Sequence, residues 1–306
     1  MHLISIDDLS SADIQRLFEL SDSFLEISSR SIKKVPSLRG RTLINVFLEP
    51  STRTQTSFEL AGKRLSADVI NIKGSSSSVV KGESFKDTIL TLDSYNPDVL
   101  VLRHPLVGAA RLATRYTRAS VINAGDGTGE HPTQCLLDLY SLRRVFGGLQ
   151  GLKVAIVGDV LRSRVARSNI FGFRKMGIDM RLVGPRTLMP PGIEYWGVPV
   201  YEDLDALSDV DVVYLLRMQL ERAKGRVSPV PSLREYSRVW GVSRYRLKPG
   251  QKVMHPGPVN RGVELSGDLA DDERSLILQQ VESGLAMRMA ILYQCLAVEL
   301  DEESLA

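Results

Sequence analysis

Thr42-Leu43-Ile44-Asn45-Val46-Phe47-Leu48-Glu49-Pro50-Ser51-Thr52-Arg53-Thr54-Gln55-Thr56-Ser57-Phe58-Glu59 is a strand that turns directly into a helix. Residues Arg41 to Leu48 are apolar and rich in β-branched side chains, the pattern of a buried strand. Past Pro50, the residues Phe58, Ala61 and Leu65 recur at helical spacing, with Lys63 and Arg64 turned the other way. A helix that opens at Ser51 leaves its first amides without partners in the helix itself. Above the carboxyl end of a strand, those amides and the positive end of the helix dipole favour an anion. Ser51, Thr52 and Thr54 add hydroxyls, and Arg53 adds a guanidinium fork that matches phosphate oxygens. The stretch predicts a phosphate cradle; a plain Ser/Thr cap followed by an exposed arginine is the alternative it leaves open.

On either side, strands and helices alternate. Ser10 to Ile27 reads as an amphipathic helix, and Ala67 to Ile72 as a second strand. A loop rich in serine and glycine, Gly74 to Ser84, should be mobile. Phe85, Ile89 and Leu92 begin a helix, Asp98 to Leu102 is a strand, and Leu106 to Tyr116 is helical. Ser120 to Asn123 is a fourth strand, ending in the turn-rich run Ala124 to Gly129. His131-Pro132-Thr133-Gln134 opens a long helix to about Phe146. A second series follows, with strands at Leu152–Val157, Met180–Val183, Asp211–Leu215 and Lys252–Met254 and a helix, single or bent, from about Asp272 to Glu299. Such alternation gives an α/β fold of two doubly wound domains, each a parallel sheet flanked by helices.

The chain of 306 residues is long enough for two such cores. Its 43% hydrophobic and 25% charged content is ordinary for a globular protein. A net charge of +3, with Lys and Arg dispersed, gives no ground for nucleic acid. No apolar stretch is long enough to span a membrane and the N-terminus has no signal-peptide pattern, so the expected location is the cytoplasm. Cys135 and Cys295 offer neither a disulfide framework nor metal-ligand spacing, and no metal or cofactor is expected.

In parallel sheets ligands sit outside the carboxyl ends of the strands. Polar and basic residues gather at those ends: Ser51 to Thr54, Arg103, His131 and Gln134, Arg164, Arg217 and Gln219, and His255. Any one such arginine reads equally as a solvated surface charge; together they suggest a cleft that collects anions. His131 precedes Pro132 at a helix start, where the dipole keeps the ring neutral and able to donate one N–H; a capping histidine is the alternative. Gly158-Asp159-Val160-Leu161-Arg162-Ser163-Arg164 lacks the Gly-x-Gly-x-x-Gly spacing of a dinucleotide loop. His255-Pro256-Gly257-Pro258 is either a rigid turn or a turn that aims carbonyls into the crevice. Cys135 reads as a small core residue.

Ser51-Thr52-Arg53-Thr54 with Ser57-Phe58-Glu59, Lys81-Gly82-Glu83-Ser84, Arg103-His104-Pro105, His131-Pro132-Thr133-Gln134 and the Gly158 to Arg164 segment, in this order, resemble the aspartate carbamoyltransferases over nearly the whole chain. The ornithine carbamoyltransferases share the phosphate half but carry a His-Cys-Leu-Pro segment where this chain has His255 to Pro258; that stretch and Arg217-Met218-Gln219 resemble the aspartate family. Gln55 and Arg162 depart from the family pattern, standing where an Arg and a His are common.

The resemblance implies carbamoyl transfer from carbamoyl phosphate to L-aspartate in pyrimidine biosynthesis, in a cleft between the domains. It implies a carbamoyl-phosphate-binding domain over residues 1–136, with a C-terminal helix over 287–306 packing back on it, and an aspartate-binding domain over 137–286. It assigns Ser51, Thr52, Arg53, Thr54, Ser77, Arg103, His131, Gln134, Pro256, Gly257 and Pro258 to carbamoyl phosphate. Among them Arg53, Thr54, Arg103, His131 and Gln134 are the catalytic set, and Lys81, Arg164, Arg217 and Gln219 go to aspartate. It further implies a homotrimer in which Ser77 and Lys81 reach a neighbour's site, and leaves open assembly with dihydroorotase or regulatory chains. A scaffold of the same fold without activity, or transfer to another amine, are the alternatives.

Overall fold

The computed structural model describes residues 1–74, 82–219 and 230–303 and divides into two compact units, Met1–Tyr140 with Glu282–Ala306, and Ser141–Val281. Ser77 and Lys81, and the loop expected to be mobile, fall largely or wholly outside the described residues.

In the first unit, strands β1 (Thr42–Phe47), β2 (Asp68–Lys73), β3 (Val99–His104) and β4 (Ser120–Asp126) form a parallel sheet in the order β2-β1-β3-β4. Helices α1 (Ser11–Ser29), α2 (Thr52–Arg64), α3 (Phe85–Asp93), α4 (Ala109–Ala113), α5 (Pro132–Phe146) and α9 (Ile277–Glu303) accompany it, α9 beginning in the second unit. Val46, Ile44, Leu100, Leu102 and Val121 are almost completely buried with Ile89 and Leu92 of α3; each such side chain contributes about 1.5–3 kcal/mol. The central strands β1 and β3 are therefore largely apolar and buried, whereas β2, at the sheet edge, is largely exposed.

In the second unit, β5 (Lys153–Val157), β6 (Asp179–Val183), β7 (Val200–Tyr201), β8 (Val212–Leu215) and β9 (Lys252–Met254) form a parallel sheet in the order β7-β6-β5-β8-β9. Helices α6 (Arg164–Lys175), α7 (Leu233–Trp240) and α8 (Gly267–Ala270) belong to it. Its core joins Ala155, Val157, Val213, Leu215 and Val253 to Val242, Leu265 and Leu269.

Both orders reverse once: between β1 and β3 in the first sheet, and between β5 and β8 in the second. At such a switch point the following connections diverge and leave a crevice. The β1–α2 turn and Arg103 stand at the first, and Gly158 to Arg164 and Leu216 to Gln219 at the second.

Four expectations are corrected. The helix foreseen over Leu106 to Tyr116 shrinks to α4, because His104 Nδ1 accepts the Leu106 amide at 2.9 Å, the Asp126 carboxylate accepts the Gly108 amide at 2.6 Å, and Gly108 has φ +81°. The turn-rich run after Asn123 contributes Ala124 to Asp126 to β4, which pairs on to His104. The last helix starts only at Ile277, since Leu276 donates to Val253 O at 2.8 Å and Ser275 bridges Val253, which holds this approach beside β9. The remaining correction is His255, grouped with the strand-end basic residues: its ring is buried, with Nε2 3.2 Å from Glu264 Oε1.

Candidate functional site

In the first unit the candidate residues begin at the β1–α2 turn. Ser51 is the N-cap in extended backbone, and the first intrahelical bond, Gln55 N–H to Ser51 C=O at 3.1 Å, leaves the preceding amides outside the helical ladder. Serine N-caps of α1, α3, α6 and α7 each accept an amide of the first turn, from Asp13, Asp87, Ala166 and Glu235. Ser51 makes no such side-chain bond, and the first turn of α2 carries no acidic residue. The capping alternative thus fails at the one atom that defines it. Thr52 and Arg53 are exposed, Ser51 is half-buried, and Thr54 is buried at 6%.

Arg103, at the end of β3, crosses the switch point. Its Nη1 donates to Ala124 O at 3.2 Å, and its Nη2 lies 3.4 Å from Glu49 Oε1, so the guanidinium is tied to residues after β1 and within β4. Beside it, burial holds His104 below the ordinary imidazole range; its ring meets Phe85 edge-on and serves the backbone.

His131 and Gln134 open α5. The His131 carbonyl accepts the amides of Gln134 and Cys135 at 3.0 and 3.3 Å, and the buried ring has Nδ1 3.4 Å from Thr133 Oγ1. Gln134 Nε2 donates to Asp138 Oδ1 at 3.0 Å, and Asp138 is completely buried. A carboxylate only accepts, so Asp138 fixes the Gln134 NH2 inward and turns the amide oxygen the other way. That oxygen is then an acceptor for an N–H of a ligand.

In the second unit the candidate residues surround the β5–β8 switch point. Gly158 has φ +116°, and a Cβ there would come within 2.9 Å of the Tyr236 hydroxyl and 3.1 Å of Leu216 O. This glycine serves close approach of two strand ends rather than a pyrophosphate. Asp159 is buried, and burial pushes its carboxyl above the usual range, with Arg162 and the amides of Gln219 and Arg162 acting against that rise. Its Oδ2 accepts the Gln219 amide at 3.3 Å, and its Oδ1 lies 3.3 Å from Arg162 Nη1. Arg162, a departure from the family pattern, so partners Asp159. Asp159 in turn pins Gln219 and the segment that carries Arg217, which is half-buried. Arg164 is buried at the start of α6, one residue past the capping Ser163.

Pro256 and Gly257 are half-buried and Pro258 is exposed, with the Gly257–Pro258 peptide cis. The loop is held from behind. His255 Nδ1 accepts the Gly257 amide at 2.8 Å, while Glu264 Oε1 takes His255 Nε2 and the Asn260 amide at 3.2 and 2.6 Å.

Ser51, Thr52, Arg53, Thr54, Arg103, His131 and Gln134 therefore lie in the first unit, and Arg164, Arg217, Gln219 and Pro256 to Pro258 in the second. Sequence reasoning missed Asp138, Asp159 and Glu264, the buried carboxylates that orient them. Their signal was an acid among apolar neighbours, as in Leu136-Leu137-Asp138-Leu139. Cys135 is buried in α5, and burial pushes the Cys295 thiol up to about 12. Among the described residues no cluster of His, Cys, Asp and Glu could hold a metal, and no helix is long and apolar enough to cross a membrane.

Two doubly wound parallel-sheet units with basic and hydroxyl groups at their switch points define a two-domain α/β protein whose strand ends suit anions. The family model of the aspartate/ornithine carbamoyltransferase carbamoyl-P binding domain matches residues 1–144, and that of the Asp/Orn binding domain matches 150–295. The aspartate carbamoyltransferase catalytic subunit of Geobacter sulfurreducens is 54% identical over 306 residues, covering 98% of both chains. That of Sorangium cellulosum is 54% identical over 307 residues, covering 99% of this chain and 95% of its own. Among solved structures, aspartate transcarbamoylase from Trypanosoma cruzi in complex with N-(phosphonacetyl)-L-aspartic acid superposes with a TM-score of 0.85 at 32% identity, covering 95% and 94% of the two chains. The M. jannaschii catalytic subunit gives 0.83 at 37% identity, covering 96% and 97%. The chain belongs to the aspartate/ornithine carbamoyltransferase family.

Proposed function

We propose that the chain is an aspartate carbamoyltransferase, which moves the carbamoyl group of carbamoyl phosphate to the amine of L-aspartate, giving N-carbamoyl-L-aspartate and phosphate for pyrimidine biosynthesis. The observation that carries this reading is the open N-terminus of α2, with its uncommitted Ser51 cap, in a chain matching both family domains. The phosphate sits on the amides and hydroxyls of Ser51, Thr52 and Thr54, with Arg53 and Arg103 supplying charge. Thr54, Arg103 and His131 donate to the carbamoyl oxygen. With its proton on Nε2, the His131 ring accepts the Thr133 hydroxyl at Nδ1 and keeps one N–H donor. These donors meet an oxygen that becomes more negative as the tetrahedral intermediate forms, so they favour the transition state over the substrate. Gln134 Oε1 and the Pro256 carbonyl accept from the carbamoyl NH2, and Gly257 and Pro258 line the same pocket.

Arg164 and Arg217 each grip one carboxylate of aspartate through paired N–H bonds, assisted by Gln219 and Lys81. The amine forms the new N–C bond, the C–O bond to phosphate breaks, and the departing phosphate takes the amine's proton. Orientation supplies much of the rate, and neither a covalent nucleophile nor a metal has a place in the steps. The test is an assay for carbamoyl aspartate with aspartate, ornithine and other amines offered in parallel. Formation of the aspartate product alone supports the reading, and its absence removes it.

The chain acts as a cytoplasmic homotrimer whose Ser77 and Lys81 serve a neighbour's site. Inactive Lys81→Ala and Arg53→Ala chains should then regain activity on mixing, up to one intact site in each hybrid trimer. Hybrids that form and stay inactive would show each site to be built from one chain.

A further inference from the structure

Arg288 interrupts the apolar run Leu285-Ala286-Met287-Arg288-Met289-Ala290-Ile291-Leu292 of α9 and is only 5% exposed. A guanidinium is costly to bury, and it stays charged there only where its contacts compensate. Its Nη1 donates to Ser57 Oγ at 2.9 Å and approaches Gly284 O at 3.5 Å, and its Cζ stands 5.2 Å from the centre of the Phe58 ring. Burial draws its pKa down to about 10, and the charge of Asp138 acts the other way. Its Nε has no hydrogen-bond partner among the described residues. Gly284 makes room for it, since a Cβ there would lie 3.0 Å from Arg288 Nη1 and 3.2 Å from Leu137 Cδ2.

Its hydrogen bond to Ser57 and its ring contact with Phe58 fall on α2, and the charge that acts on it, Asp138, sits on α5. Ser57 and Phe58 lie one helical turn beyond Arg53 and Thr54, on the same face of α2. Asp138 lies one turn beyond Gln134 on α5 and accepts its amide. The two helices carry the phosphate end and the carbamoyl end of the proposed site. We propose that Arg288 is a positioning residue for carbamoyl transfer: without touching substrate it sets the rotation of α2 and, through Asp138, the aim of the Gln134 amide. This inference rests on the carbamoyltransferase reading. Loss of the guanidinium frees Asp138 to shift and lets the Gln134 oxygen leave the carbamoyl NH2, which slows the transfer more than it weakens the grip on phosphate.

Arg288→Met, close in length and uncharged, tests it in the full chain. Turnover should fall about 10²-fold, the scale of a 1 Å misplacement, while the affinity for inorganic phosphate, measured calorimetrically, falls by no more than about tenfold through the shift of α2. Made in a Gln134→Ala background, the same substitution should cost no more than about tenfold, because the part that acts through the Gln134 amide is already lost. Turnover close to the parent's, losses that multiply, or a fall in phosphate affinity as deep as the fall in turnover would each overturn the role. Should Arg288→Met fail to fold, as judged by circular dichroism, Asp138→Asn replaces it, since an asparagine accepts either orientation of the Gln134 amide. It should lose about tenfold in turnover, again without adding to Gln134→Ala, and an unchanged or additive rate would overturn the role equally. A parent that makes no carbamoyl aspartate sinks the functional reading and the inference together; an active parent with additive variants sinks Arg288 alone.

Discussion

Helices α2 and α6 both start beyond the carboxyl end of a central strand, both have serine at the N-cap, and both carry an arginine in the first turn. In α6 the Ser163 hydroxyl accepts the Ala166 amide and Arg164 is buried. In α2 the Ser51 hydroxyl makes no capping bond, and Arg53 is exposed. A helix closed by its own side chain offers a ligand chiefly its arginine, which suits a carboxylate. A helix left open offers amides, hydroxyls and arginine together, which suits the several acceptors of a phosphate. On the proposed function, two helices that share a serine cap and a first-turn arginine would hold anions in two different ways, and the serine hydroxyl distinguishes them.

The hardest blow to this contrast comes at the arginines. Arg53→Ala should lower turnover by about 10²–10³-fold, the usual consequence of losing one donor aimed at charge that develops in the transition state, here on the departing phosphate, with the melting temperature unchanged. Arg164→Ala should instead raise the aspartate KM by roughly 10- to 100-fold, since hydrogen bonds to charged groups are worth about 1.5–3 kcal/mol. It should leave carbamoyl phosphate binding alone. Exchanged phenotypes in steady-state kinetics would reverse the assignment of the two helices.

The caps give a smaller and sharper comparison. Ser163→Ala should cost about 1 kcal/mol of stability, the worth of an N-cap bond, while Ser51→Ala should cost none and appear only as weaker phosphate binding. Equal stability losses in denaturant titrations would make Ser51 an ordinary cap.

The least effect is a pH signature confined to the second unit. The Asp159 carboxyl is raised by burial in the folded chain, so its protonated form favours folding. That contribution is complete below the ordinary value of 3.8 and is lost as pH rises through the higher folded value. Asp159→Asn should therefore remove a decline in melting temperature on the alkaline side of about pH 4. A constant offset between parent and variant from pH 4 to 7 would show that burial leaves this carboxyl where it is in the unfolded chain.

The central strands and the helices that follow them were legible because burial on both faces leaves a continuous apolar run, as in β1, β3 and β5. β7 was not, since Val200–Tyr201 is too short to show any period. α7 escaped because only Tyr236 within it is fully buried, and α4 was overdrawn because side chains from β3 and β4 take the amides a helix would have used. The candidate site residues could be named from their types and their positions at strand ends. Of the residues paired with or beside them, Asp159 and Arg288 bond to distant parts of the chain, Gln219 and Ser57, which no local pattern records, while Asp138 and Glu264 bond close in sequence and showed only as single acids among apolar neighbours.

The first unit is assembled from two pieces of sequence, since Glu282 onward returns to it, whereas the second is continuous. During synthesis the second unit can complete its sheet while the first still lacks the guanidinium that packs on Phe58. A nascent chain should therefore gain protease resistance from the middle outward, and a premature stop ahead of Arg288 would injure the part of the protein made earliest.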